Sequence, residues 1–214
     1  IWWVNGLGEQ PLYEVEAVLM LEEKTVDTWK RRIGLRSMTV RREKDEWGES
    51  FAHEINGVAF FAMGGDYIPE EHLLGRRSEE KTRQLLLDCK RANFNVIRVW
   101  GGGFYPDELF YDICDELGLA VWQDFMFACS TYPADSAFLE NVRQEAVYNV
   151  KRLRNHPCIA VWCGNNECND AWFNWGWQKR YKAQNPEYEK KIWKQFTDQY
   201  YVTLPEVVKE YAPE

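Results

Sequence analysis

Between residues 58 and 163 the chain repeats one pattern: a short apolar run, then glycines or polar residues, then an amphipathic stretch. The runs occupy 58–61, 96–100, 119–125 and 159–162. Each is apolar on both sides and too short for a helix, which suits strands of a parallel sheet buried beneath helices. The stretches between them agree. Over 78–93, Thr82, Leu85, Leu86, Cys89 and Ala92 share one helical face. Pro106 opens a second helix with the stripe Phe110, Ile113, Cys114 and Leu117, closed by Gly118. Ser136 or Asp135 caps a third, with Leu139, Val142, Ala146, Val150 and Leu153 inward. A last helix is expected over about 188–211, interrupted at Pro205.

A polar cluster follows each run: Gly64-Gly65-Asp66, Trp100-Gly101-Gly102, Gln123-Asp124 and Asn165-Asn166-Glu167. A (β/α)8 barrel keeps its active site beyond the carboxyl ends of its strands. No GxGxxG follows the first strand, which disfavours a dinucleotide fold. The expected fold class is therefore α/β, a partial (β/α)8 TIM barrel of about four βα units.

The first fifty residues read differently. Residues 13–19 and 36–41 alternate polar and apolar, as antiparallel strands with one wet face do. Two or three such strands need further partners to be stable. Asn56-Gly57, between 51–55 and 58–61, marks a hairpin turn. The expected division is 1–49 and 50–214.

Composition narrows the function. Net charge is −8, and the 26 basic residues are scattered among acids and apolar residues, which disfavours nucleic-acid binding. No apolar stretch approaches a membrane span. The six Cys show no CxxC pairing and the three His no clustering, so neither a metal nor a cofactor is expected. There is no Asn-x-Ser/Thr acceptor, and a reducing, cytosolic setting is favoured. The chain opens on Ile1 rather than Met and shows no signal peptide. Its 11 Trp exceed ordinary usage; four of them (162, 172, 175, 177) lie within ten residues of Glu167. Aromatic planes pack cores, and they also suit the C–H faces of sugar rings. By itself, Asn165-Asn166-Glu167 fits catalysis, a metal site or an ordinary turn.

Longer stretches decide among these. "WWVNGLGEQPLYEVE", "RRIGLRSMTV", "INGVAFFAMGGDYIPEE", "NVIRVWGGGFYPDELFYDICDELGLAVWQDFMFACSTYP" and "NHPCIAVWCGNNEC" together resemble the β-mannosidases of glycoside hydrolase family 2. The likeness runs in order along the chain. It implies a multidomain retaining exo-glycosidase acting on β-mannoside oligosaccharides. Residues 1–49 would then be the end of an immunoglobulin-like β-sandwich and 50–214 the first half of the catalytic barrel. The resemblance makes Glu167 the general acid/base and Asn166 the amide that bonds the sugar 2-hydroxyl. Trp100 and Trp175 would line the terminal-sugar pocket, Arg98 would help hold the nucleophile, and Asp124 would face the pocket. The family's nucleophile, a glutamate after strand seven, has no counterpart among these residues, so the chain alone is expected to be inert. A homodimer closing the half barrel is one assembly the pattern allows. The alternatives are another family-2 exo-glycosidase of the β-galactosidase type, or a non-catalytic carbohydrate-binding scaffold.

Overall fold

The computed structural model describes residues 1–213. A long antiparallel hairpin comes first, β1 (Tyr13–Leu21) against β2 (Lys24–Ile33), with a register shift between Leu19 and Met20. Val18, Leu19, Met20 and Leu21 are all exposed, so the expected single wet face is not realised within the described residues.

A second, three-stranded sheet joins β3 (Met38–Arg41), β4 (Ala52–Ile55) and β5 (Val58–Phe60). The β4–β5 turn is the expected one: Asn56 and Gly57 both have positive φ, 51° and 80°, as a two-residue hairpin turn requires. Asn56 also acts at a distance. Its side-chain amide donates to Trp2 O at 2.9 Å, and its Oδ1 accepts from Ser37 N at 3.0 Å. The β3–β4 pairing runs across the 49/50 division drawn from the change in sequence pattern.

The parallel sheet has the order β6 (Gly64–Tyr67), β7 (Val96–Val99), β8 (Ala120–Asp124), β9 (Ile159–Cys163). This corrects one expectation. Gly64-Gly65-Asp66 does not follow the first parallel strand; it is that strand, paired Gly64↔Val96 to Tyr67↔Val99. A Cβ on Gly64 would fall 1.7 Å from Val96 O. The glycine that hides the strand from any hydrophobic pattern is what lets it approach β7.

Helices α1 (Glu79–Arg91), α2 (Glu108–Leu117) and α3 (Ser136–Leu153) follow β6, β7 and β8. Ser78 Oγ accepts from Lys81 N, and Asp135 Oδ1 from Ala137 N and Phe138 N, which marks both as N-caps. Gly118 closes α2 in the left-handed conformation, φ 74°. Leu86 is fully buried on α1, whereas Leu85, expected beside it, is exposed at the edge of the stripe. Beyond β9 come α4 (Cys168–Phe173) and α5 (Trp177–Gln184); the expected last helix then runs as α6 (Pro186–Thr197), a π-helical segment (Asp198–Thr203) and α7 (Leu204–Tyr211), its irregularity lying just before Pro205. Pro205 lies in the first turn of α7, directly after the π segment.

One core packs Ile97, Val99 and Val121 against Phe110, Ile113 and Leu153, and takes in Trp2 and Val4 from the N-terminal segment. Each such side chain contributes about 1.5–3 kcal/mol by leaving water. Trp2 is fully buried, with its Nε1 donating to Asp115 O at 2.8 Å. A second cluster joins Phe125 and Phe127 to α3 and α7 through Val142, Val150, Leu204 and Val207. No helix among the described residues is long and apolar enough to cross a membrane.

Candidate active site

Parallel strands deliver their last residues side by side, so the ends of β7, β8 and β9 bring Arg98, Asp124 and Asn166 together from distant stretches of sequence. Asp124 is completely buried. Its Oδ1 accepts from Arg98 Nε and Trp122 Nε1, both at 3.1 Å. Its Oδ2 accepts from Arg98 Nη2 at 2.8 Å and Gly101 N at 3.0 Å. A carboxylate offers about four acceptor positions, and all are taken. Asp124 therefore organises the site through these donors.

Arg98 is the hub. Besides gripping Asp124, its Nη2 reaches Asn166 Oδ1 at 2.8 Å, and its Nη1 lies 3.8 Å from Asp66 Oδ1. Burial works against its charge, but the bond to Asp124 and the charges of Asp124 and Asp66 outweigh that and raise its pKa further. Because guanidinium has only donors, Asn166 must turn its oxygen toward Arg98. Its Nδ2 then points the other way, to Glu167 Oε2 at 3.2 Å and Cys129 Sγ at 3.4 Å.

Glu167 sits one residue past this amide, in left-handed backbone (φ 60°), and caps α4 with its carbonyl accepting from Ala171 N at 2.8 Å. Non-glycine residues rarely adopt this conformation, and strain of this kind gathers at functional sites. Its side chain is exposed. The segment after β8 runs alongside: Asn166 N donates to Phe127 O at 2.9 Å, and Cys129 N to Asn166 O at 3.0 Å. Cys129, also left-handed at φ 47°, donates its thiol to Glu167 Oε2 at 3.1 Å. The Cys129 pKa is raised, chiefly by that bond.

The tryptophans differ. Trp100 is half-buried at the end of β7, its N donating to Tyr67 O at 3.1 Å. Its ring folds over the following turn so closely that a Cβ on Gly102 would meet it at 2.0 Å. Gly101 is needed for a different reason: a Cβ there would lie 2.6 Å from Phe125 O and 2.8 Å from Phe127 O. Trp175, between α4 and α5, is exposed and stands edge-on to Trp177 at 6.3 Å, outside the Arg98 network. Sequence reasoning brought Arg98, Asp124, Asn166 and Glu167 into one site and set Asp66 in the first polar cluster, but missed Cys129 and Trp122. Beside Arg98 the surface opens into a hollow of about 270 Å³ lined by Gly64, Gly65 and Asp66. A cleft of about 670 Å³ lies elsewhere, between the β1–β2 hairpin and α2, and none of the site residues lines it.

No family model matches the chain. Curated relatives do: β-mannosidase B of Aspergillus fumigatus is 41% identical over 213 residues, covering 100% of this chain and 25% of its own length. That of Thermothelomyces thermophilus is 45% identical over 169 residues, 78% of this chain and 20% of its own. Among solved structures, β-D-mannosidase from Dictyoglomus thermophilum superposes with TM-score 0.86 at 41% identity, over 99% of this chain and 25% of that one. By sequence and by fold, the likeness is to the β-mannosidases. The chain spans about a quarter of the length of the β-mannosidases it matches. Bacteroides uniformis β-glucuronidase 2, with TM-score 0.78 but 21% identity, extends the likeness in fold alone.

Proposed function

We propose that this chain is part of a retaining, exo-acting β-mannosidase that removes terminal β-D-mannose, with Glu167 as general acid/base. In this reading residues 1–49 end an immunoglobulin-like sandwich and residues 50–214 form the first half of a (β/α)8 barrel, with the β4–β5 hairpin near the junction. The supporting observation is Glu167 itself. Its carboxylate stands at the end of the fourth parallel strand, held by Asn166 and Cys129, in a chain 41% identical along its length to β-mannosidases.

Retention requires two carboxyl groups about 5–5.5 Å apart, one attacking the anomeric carbon while the other donates and then withdraws a proton. Glu167 takes the second part, and the nucleophile comes from sequence outside these residues. The other barrel strands and the bound sugar supply the enclosure around the acid. Asn166, its oxygen held by Arg98, turns its N–H toward the 2-hydroxyl, a bond that strengthens as the oxocarbenium ion forms. Trp100 and Trp175 flank the ring, and Asp124 contributes by fixing Arg98.

The test is the full-length protein carrying this segment, assayed on p-nitrophenyl β-mannoside and the matching β-galactoside. Glu167→Gln should lose most activity toward the mannoside, and azide should partly restore Glu167→Gly. Equal turnover by wild type and Glu167→Gln removes the acid/base assignment; preference for the galactoside removes the substrate.

A further inference from the structure

The helix that starts beside Glu167 is backed by the rarest element of the fold. α4 carries Trp172 on its inner face, 2% exposed, and the π-helical segment 198–203 packs its Gln199, 1% exposed, on the same interior. π-helical turns are uncommon and often mark functional sites. Here the wider turn places consecutive residues, Gln199 and Tyr200, both inward. The Tyr200 hydroxyl points at Cys168 Sγ, 3.9 Å away, one residue after Glu167.

Between these elements lies a cavity of about 10 Å³ lined by Trp172, Gln199 and Tyr200 on one side and by Ser130, Thr131 and Tyr132 on the other. Two of the lining residues carry a buried donor with no hydrogen-bond partner among the described residues, Trp172 Nε1 and Gln199 Nε2. Buried polar groups in folded proteins are nearly always satisfied, by protein or by ordered water. The two orphans are both donors, so they call for one shared acceptor. The space fits a single water, which needs roughly 10–15 Å³ and two to four polar partners. No charged side chain lines it, which favours a neutral occupant over an ion.

We infer that this cavity holds one water molecule that accepts hydrogen bonds from Trp172 Nε1 and Gln199 Nε2, and that this water ties the π turn to the helix beginning at Glu167. Its own two hydrogens are left for acceptors among the other residues of the lining.

The experiment uses the chain with 15N-labelled tryptophan, its Trp172 indole signal assigned by loss in Trp172→Phe. Wild type is expected to show a direct water cross-peak to the Trp172 indole proton, with the sign of a long-lived water. A high-resolution crystal structure should show one water in hydrogen-bond range of both nitrogens. Gln199→Leu keeps the bulk and removes one donor; protection of the Ala171 amide, bonded to Glu167 O, should then fall by about tenfold. Absence of the cross-peak, or density bonded to one nitrogen or neither, overturns the water. Unchanged Ala171 protection in folded Gln199→Leu overturns the tie to α4. If Gln199→Leu does not fold, the wild-type measurements decide the water, and Gln199→Met decides the tie by the same amide.

Discussion

Cys129 and Glu167 meet thiol to carboxylate at 3.1 Å, each held in left-handed backbone in the segment that follows one of two neighbouring strands. The contact makes the thiol a reporter of the acid. Because the Glu167 carboxylate holds the Cys129 pKa up, Glu167→Gln should lower it. Alkylation of Cys129 by iodoacetamide at pH 8 should then run faster by about two- to tenfold. Peptide mass spectrometry separates this position from the half-buried Cys89 and Cys163 and the buried Cys114, Cys158 and Cys168.

The bidentate Arg98–Asp124 pair is taken out of water on the Asp124 side. Breaking such a pair leaves an uncompensated charge, so Asp124→Asn should cost about 3–5 kcal/mol in urea unfolding. Arg98→Lys keeps the charge and loses the fork, and should cost about 1–3 kcal/mol. A smaller loss for Asp124→Asn than for Arg98→Lys would contradict the four-donor description of Asp124.

The two glycines after Trp100 should respond differently to a methyl group. At Gly101 the added Cβ meets backbone carbonyls of the segment after β8, which cannot step aside without moving the strand end. Gly101→Ala should cost about 1–3 kcal/mol. At Gly102 the obstacle is the Trp100 ring, which can rotate. Gly102→Ala should therefore change tryptophan fluorescence and lose less stability, both seen in one denaturant titration.

His156 supplies a pH dependence. Burial opposes its charge, but Asp115 at 2.6 Å and Glu108 at 3.1 Å outweigh burial and raise its pKa. A raised histidine contributes stability that is whole below its unfolded value of about 6.5 and is lost as pH climbs through the folded value. Thermal unfolding should thus show stability declining with pH above the mid-sixes. In His156→Gln that slope should flatten, with a loss of about 3–5 kcal/mol at pH 6 from the unpaired Asp115.

What was legible in the sequence was whatever leaves a periodic or stereochemical mark. The runs at 96–100, 119–125 and 159–162 are strands because apolar side chains face both ways; Asn56-Gly57 and Gly118 are turn and cap because few residues tolerate their φ. β6 left no mark, since Gly64 was selected for closeness to Val96 O rather than for burial of a side chain. α4 and α5 are short, and the π segment wears the same residues as an ordinary helix. In the site, Asp124, Asn166 and Glu167 stand in the polar clusters that mark strand ends, and Arg98, inside β7, was added to them by the resemblance alone. Cys129 was not: it lies five residues past β8 and is brought to Glu167 by the continued pairing of Ala128 with Asn166, which nothing local announces.

Trp2 lies sealed in the core beneath the parallel sheet, tied to α2 through Asp115 and to the β4–β5 turn through Asn56. Anyone transplanting this scaffold into a chimera, or hanging a fusion partner on it, has to carry that leading strap along. A cut placed at the visible change of texture near residue 50 would leave a tryptophan-sized hole behind.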